Sequence, residues 1–595
     1  MVTLSQALLI ALDHHQAGRV AEAEDIYRRI LNADPEHADA MELLGVLAAQ
    51  TGRFNAAGRI LRLAVALRPE GAGGLSNLAG VEQSAGALDA AVRLYGRALR
   101  LMPGLADAHA SHAGALRRLG RTEAALLAAG RALALAPGHA DALVNRAAAL
   151  LSSGDAASAE LCARRSLRLN ARSAVAHATL AAALAPQRRW KEAETAARDS
   201  LALDGNAGEA WEVLGAVLAK LGRFPESLEA FAAAERLRPG LSPNSSLYAA
   251  RGTALIAMAR PAEAAADFDR ALADRPQDAG LHWNLGFARL MAGDYGRGWP
   301  EFDWRRHDDR AEPPWRRLNQ PTWRGEPLSG RTILLYAEQG LGDTLQFLRY
   351  VPLVAARGGR VVLEVQRPLL SLMSGVEGAA QVIARGDPLP PFDLECPLMS
   401  LPRAFGTVLD GVPADVPYLR PDPVRVARWR ERLGAPTALR VGVVWAGNPR
   451  FPGDEDRSPR LAGLRGLLDV PGCRYYGLQM GPGRADLADT ALPDAFTDLG
   501  PEIADFADTA AIMANLDLVV SSCTGPAHLA GALGVPLWLA LPFSPDWRWL
   551  TGRDDSPWYP TARLFRQPAP GDWLSVAGRM AAELAALVQR FSPSP

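Results

Sequence analysis

Small apolar and turn-forming residues recur along the first 276 positions on a fixed beat of 34 residues. Prolines stand at Pro35, Pro69, Pro103 and Pro137, and the register returns at Pro239. A glycine falls 17 positions before each proline position, at Gly18, Gly52, Gly86, Gly120, Gly154 and Gly222. Ala23, Ala57, Ala91, Ala125, Ala159 and Ala193 lie 12 before it; Ala11, Gly45, Ala79, Ala113, Ala147, Ala181 and Gly215 lie 24 before it. Such a period reads as stacked helical hairpins. Glycine turns the chain between two helices, the small residues let paired helices touch, and proline ends the second helix. The beat falters at Ala171 and Gly205, which replace proline, and at Arg188, which replaces glycine. Extra residues enter near 241–247 before Ala264, Pro276, Gly286 and Gly293 resume it. The pattern predicts about eight full repeats over residues 4–276 and a partial ninth, opened at 282–286 and broken by Pro300.

This pattern of small residues and proline resembles the tetratricopeptide repeat. A solenoid of that kind buries its core only between neighbouring repeats and leaves a long concave face for another chain.

Beyond residue 300 the periodicity changes. Residues 301–330 are charged and rich in proline and tryptophan (Trp304, Pro313, Pro314, Trp315, Pro321, Trp323), a junction whose tryptophans are expected to pack. Strands are predicted at 332–336, 360–365, 381–384 and 393–396, with a helical pattern over 345–356 after the first. A second series opens at 439–445 and continues through 475–479, 516–521 and 537–541. Strands alternating with helices call for parallel sheets flanked by helices. The expected architecture is α plus α/β: an all-α solenoid over 1–300, a junction over 301–330, and two Rossmann-like halves over 331–436 and 437–595. The last helix, 573–590, serves as a brace. Ligands of such sheets lie beyond the carboxyl ends of the strands, where helix N-termini point.

Two turns occupy such places. Gly340-Leu341-Gly342-Asp343-Thr344 allows a tight strand-to-helix turn, and Asp343 fits both a helix cap and a general base. In Ser521 to His528 a strand ends and a helix opens near Pro526. Its free N–H groups and the Thr524 hydroxyl would form an anion site; an ordinary capped helix with His528 tucked into the sheet fits equally well. Two aromatic, charged stretches follow, 545–549 (PDWRW) and 554–559 (DDSPWY), suited either to stacking a ring or to packing.

Composition narrows the possibilities. With 64 basic and 65 acidic residues the net charge is -1, so no global basic field points to nucleic acid or an anionic membrane. Lys191 and Lys220 are the only lysines, leaving no amine after residue 220 to neutralise a phosphate. Cys162, Cys396, Cys473 and Cys523 are scattered, with neither zinc-ligand nor disulfide spacing. No apolar run is long enough to span a bilayer and no basic leader opens the chain, so a soluble cytoplasmic protein is expected.

Three segments, TILLYAEQGLGDTLQFLR (332–349), VGVVWAGNP (441–449) and TGPAHLAGALGVP (524–536), follow the repeats in this order. Together they resemble bacterial tetratricopeptide-repeat proteins that carry a GT-B glycosyltransferase domain, relatives of the O-GlcNAc transferases and the heptosyltransferases. The resemblance implies inverting, metal-independent transfer from a nucleotide-sugar donor, with no further cofactor. It places Asp343, behind Gly340 and Gly342, at the position of the base. Thr524, Gly525 and His528 match the diphosphate-binding turn; Asn448, then Arg457 with Ser458, match the loop of the second segment. Gln479 and Cys523 join the donor site, and Trp547, Arg548 and Tyr559 come to the cleft. The chain departs from the family at Cys523, where Asp is usual, and at Met480, where Lys is frequent. With no paired base, Cys523 reads as a buried neutral thiol rather than a nucleophile.

Asn77, Asn145 and Asn284 share one repeat position, where the O-GlcNAc transferases line their groove with asparagines that hold an extended peptide. An amide both donates and accepts, although solvated polar residues would fit the same positions. The resulting expectation is a protein glycosyltransferase that modifies Ser or Thr hydroxyls of a polypeptide captured by the arm, with flagellin as first acceptor. A CMP-linked nonulosonic acid donor would need only one phosphate held, in keeping with the altered turn at Cys523. The alternative is a scaffold whose transferase-like region is non-catalytic, in keeping with Cys523 and Met480.

Overall fold

The computed structural model describes residues 3–237, 246–273, 275–307, 316, 318–373, 375–451 and 453–590. The chain divides into two compact units, residues 1–240 and 241–595.

The first unit is a run of seven helical hairpins, from Leu4–Gln16 with Val20–Ala33 to Gly208–Lys220 with Phe224–Leu237. Within the hairpins the chain turns through left-handed backbone at Gly18, Gly52, Gly86, Gly120, Gly154 and Gly222. Arg188 adopts the same conformation, φ 59°, where the glycine is missing. A Cβ crowds its own backbone there, at a cost of about 1 kcal/mol. The alanines of the 34-residue beat, Ala11, Ala23, Ala57, Ala79, Ala91, Ala113, Ala125, Ala147, Ala159, Ala181 and Ala193, are fully buried. Side-chain size is matched within a hairpin. A Cβ added to Gly45 would lie 2.6 Å from Leu61, and one added to Gly215 would lie 2.8 Å from Phe231. Pro239 lies outside the described residues.

The second unit opens with two further hairpins, Ser246–Ala257 with Pro261–Leu272 and Ala279–Met291 with Tyr295–Phe302. The ninth hairpin is therefore completed rather than broken at Pro300. Proline forfeits a single helical hydrogen bond near the end of a short helix. The backbone of Phe302 meanwhile lies so close to Gly286 that an added Cβ would sit 2.4 Å from its nitrogen. A 3₁₀ turn, Asp303–His307, follows. Of the junction, Pro313, Pro314 and Trp315 lie outside the described residues. Trp323 is buried and donates to the Glu326 carbonyl at 2.8 Å, and Trp304 stacks on His282.

Two wholly parallel sheets complete the unit. The first has β1 (Thr332–Tyr336), β2 (Arg360–Val365), β3 (Ala379–Ala384) and β4 (Leu394–Pro397) in the order β3-β2-β1-β4. The second has β5 (Leu439–Val444), β6 (Cys473–Gly477), β7 (Phe496–Asp498), β8 (Leu518–Ser522), β9 (Leu537–Leu541) and β10 (Ala562–Arg566) in the order β10-β9-β8-β5-β6-β7. Strands buried on both faces need nearly continuous apolar runs: β9 is wholly apolar, and β5 is apolar except for Arg440. The strand order reverses between β1 and β4 and again between β5 and β8, which opens a crevice at each switch point.

The second unit redraws two expected boundaries. The last hairpins are bonded to the sheet region rather than set apart at residue 300. Trp558 donates to the Tyr295 hydroxyl at 2.9 Å, Trp299 to the Thr407 carbonyl at 2.9 Å, and Ser544 to the Ile256 carbonyl at 2.7 Å. Helix Pro423–Leu433, expected before the boundary at 436, packs with the second sheet's helix Phe506–Met513. Arg425 bonds Asp505 and Asp508 at 2.8 and 2.9 Å, and Trp429 donates to Asp508.

Arg188→Gly should raise unfolding free energy by about 1 kcal/mol. Gly286→Val, whose Cβ meets backbone that cannot step aside, should lower it by about 3 kcal/mol. Denaturant titrations followed by helical circular dichroism check both; an unchanged Gly286→Val midpoint would refute the close packing.

Candidate functional site

The turn after β1 and the turn after β8 meet. A Cβ on Gly342 would lie 2.6 Å from His528 Cδ2 and 3.5 Å from the Gly525 Cα, so only glycine permits this approach. Each turn opens a helix, Leu341–Phe347 and Gly525–Ala532. Asp343 stands at the third position of the first helix, not at its cap. Its Oδ2 accepts the Gly340 N–H at 2.8 Å, closing the turn. At the second helix the cap residue, Thr524, offers no side-chain bond to the first turn, and Thr524 to Pro526 are half-buried. An N-terminus left in this state carries partial positive charge.

Arg548 fills the space beside these turns. Its guanidinium bonds Asp343 Oδ1 and Gln346 Oε1, and it reaches Asp546 Oδ1 at 2.9 Å. One buried cation thus serves two carboxylates. Burial pushes the Asp343 carboxyl up from its ordinary range, against the pull of Arg548. Asp546 and Gln346 escaped the sequence reading because nothing in their spacing sets them apart.

His528 is buried, and Nδ1 lies 2.9 Å from the Tyr559 hydroxyl. Burial, then the charges of Arg548, Arg349 and Arg457, hold its pKa well below the usual imidazole value, so the ring is neutral. Trp549 stacks on it and donates its indole N–H to Cys523 Sγ at 3.0 Å. Burial and then Asp546 push the Cys523 thiol up to about 11.

The loop after β5 borders the second turn. A Cβ on Gly447 would lie 2.8 Å from Arg457 Nη2 and 3.1 Å from Thr524 Cγ2, and Ser458 accepts the Gly447 N–H at 3.0 Å. Arg457 pairs with Asp454 at 3.0 Å and lies over the Phe451 ring. Asn448 is exposed and accepts the Arg450 N–H in a local turn.

Several expected ligand contacts are structural instead. Gln479 is saturated: its oxygen accepts the N–H groups of Trp445 and Ala446, and its nitrogen donates to the carbonyls of Ala446 and Met480. It shapes the loop from within. Trp547 is buried among Tyr295, Trp299 and Phe302, and Tyr559 is fully buried, so neither presents a face for stacking. The loop after β9 took the packing alternative because the last hairpin supplies an aromatic wall. Arg349, inside the first family-like segment yet not singled out, braces the Tyr559 ring and donates to the carbonyls of Trp558 and Pro413. The asparagines are also committed: Asn77 donates to Glu42 at 2.8 Å and Asn145 to the Ala110 carbonyl at 3.0 Å, each 35 residues back. Their donors tie repeats together, so they do not form a free peptide ladder. Asn284 is half-buried.

The tetratricopeptide-repeat family profile matches residues 8–72, 178–242 and 249–298. The N-terminal region is thus an all-helical tetratricopeptide solenoid, followed by parallel sheets with helices. Protein FlbA of Caulobacter vibrioides is 27% identical over 392 residues, 60% of this chain and 64% of FlbA, so the chain spans less than two thirds of that relative. Solved structures similar in fold include a chain of the APC/C hetero-tetramer Cut9–Hcn1 (TM-score 0.40, 18% identity, 48% of this chain and 55% of that one). Another is PilF of Pseudomonas aeruginosa (TM-score 0.30, 23% identity, 34% and 92%). Among the described residues no helix is long and apolar enough to cross a membrane.

Because His528 is neutral in the fold and free to charge when unfolded, its contribution to stability is complete above about pH 6.5 and is lost as pH falls below that value. His528→Gln should therefore flatten the acid-side loss by up to about 1.4 kcal/mol per pH unit between about pH 6.5 and 5. Denaturant midpoints read by tryptophan fluorescence check this, since residues 241–595 hold 12 of the 14 tryptophans. Parallel pH profiles for the two proteins would refute the buried neutral ring.

Proposed function

We propose that the chain is an inverting glycosyltransferase of the GT-B type, acting on a polypeptide acceptor. The observation that carries this reading is the meeting of the Gly340–Asp343 turn with the uncapped Thr524–His528 helix start, each at the carboxyl end of its own parallel sheet. A nucleotide sugar would set its phosphate against the N–H groups of the second turn, beside Arg457 and the Thr524 hydroxyl. That anion competes with Asp343 for Arg548. As Arg548 swings toward phosphate, the Asp343 carboxylate, whose burial favours proton uptake, is released as a base.

Transfer then balances simply. Asp343 takes the proton of an acceptor hydroxyl, the hydroxyl oxygen bonds the anomeric carbon from the opposite face, and the bond to the phosphate oxygen breaks. The leaving phosphate keeps the electron pair, held by the helix start and the two arginines. Asp343, Gly340, Gly342, Arg457, Thr524, Gly525 and Arg548 bind or react in this scheme; His528, Tyr559, Trp547 and Gln479 hold the frame. Flagellin is the first acceptor to test, on family resemblance alone. A second reading, a scaffold with an inactive transferase-like region, is favoured by one observation: Arg548 bonds the Asp343 carboxylate and neutralises it.

With purified full-length protein, UDP-, GDP- and CMP-linked donors and flagellin, intact-mass shifts should report transfer. Asp343→Asn should lower the rate by about 10²–10⁴-fold while calorimetric affinity for the nucleotide changes little. A native rate in that variant refutes the base; absence of binding to every nucleotide refutes the transferase reading in favour of the scaffold.

A further inference from the structure

The first unit holds a groove of about 880 Å³ across the hairpins between residues 54 and 135. Its charge is one-sided. Arg62, Arg93, Arg97, Arg100 and Arg131 line it against a single acid, Glu82, which is already paired with Arg62 at 2.5 Å. Arg97 spends one nitrogen on the Pro69 carbonyl and keeps its charge; Arg93, Arg100 and Arg131 have no carboxylate partner among the described residues. The bias extends around the groove, where residues 51–150 carry 12 arginines and 6 acidic residues in a chain of net charge -1.

The arginines are also ordered. Arg93, Arg97 and Arg100 fall at i, i+4 and i+7 on helix Leu88–Leu101 and so form one stripe along it. A guanidinium pairs best with a planar carboxylate through two parallel hydrogen bonds. Carboxylates one helical turn apart on a helix laid alongside would match the stripe's spacing. Between the charges the lining is apolar, and Leu127 faces solvent with 68% of its surface. Buried ring nitrogens of His109 (Nδ1) and His112 (Nε2) have no hydrogen-bond partner. Burial holds His112 near 4, so it offers a neutral polar contact, not charge. No Phe, Tyr or Trp lines the groove to stack a nucleic-acid base.

We infer that this groove docks an acidic amphipathic helix of a partner protein, with Asp or Glu on the arginine stripe and Leu- or Met-type anchors on the apolar floor around Leu127. The inference uses only residues 54–135 and stands whether or not the second unit is a transferase.

Fluorescence anisotropy with the full chain tests it. The probe is a labelled helical peptide of about 18 residues, roughly five turns, built of Glu, Leu and Ala with Glu at i, i+4 and i+7. It should bind, and weaken as salt rises from about 50 to 300 mM. A Gln-for-Glu analogue should bind at least about tenfold more weakly, as should the Glu peptide to Arg93→Glu/Arg97→Glu. A Lys-for-Glu peptide should recover binding to that variant, which a folding defect could not produce. Leu127→Ser should weaken the Glu peptide without altering its salt dependence. Equal binding of the Glu and Gln peptides, no binding at all, or preference for a single-stranded oligonucleotide would overturn the inference.

Discussion

The guanidinium of Arg548 ties the second unit together, because it is a buried charge that must be matched from several directions. It takes Asp343 and Gln346 from the helix after β1 and Asp546 from its own loop after β9. A buried cation lacking such partners would cost several kcal/mol, and a carboxylate left behind by its removal would cost as much. These bonds join the helix after β1 to the loop after β9, beside the Gly342–His528 approach. One of these bonds pairs the Asp343 carboxylate, whose pKa burial raises, with a buried cation.

The aromatic wall of the last hairpin performs a related task for the loop after β9. Tyr295, Trp299 and Phe302 accept Trp547 and Trp558 in edge-to-face and tilted contacts, so the backbone carrying Arg548 is anchored on both sides. For that reason the eighth and ninth hairpins belong physically to the sheets although their sequence belongs to the repeats. They form the shared boundary through which the helical periodicity becomes a platform for the site.

Much of this was legible in the residues. The 34-residue beat located the hairpins because glycine, alanine and proline act there through local geometry, and eight strands announced themselves as short apolar runs. β7 and β10 did not: the first has only three residues, and Arg563 and Arg566 interrupt the second. Pro300 misled because one forfeited bond weighs less than the close seat of Phe302 on Gly286. The two turns were found from glycine, Asp and Pro at strand-to-helix transitions. The directions of side chains were not, since Trp547, Tyr559 and Gln479 could be assigned to ligand or frame only once their neighbours were known. Asn77 and Asn145 likewise share a register whose use depends on residues 35 positions earlier.

The near absence of lysine has a consequence for control. Every cation in the arginine groove and around the two turns is a guanidinium, which stays protonated at any pH a cell reaches. Acylation of amines cannot erase these charges. If an acidic segment docks in the groove as proposed, lysine acylation offers no way to switch that site off, and phosphoryl groups added to or removed from the acidic segment would be a more direct control.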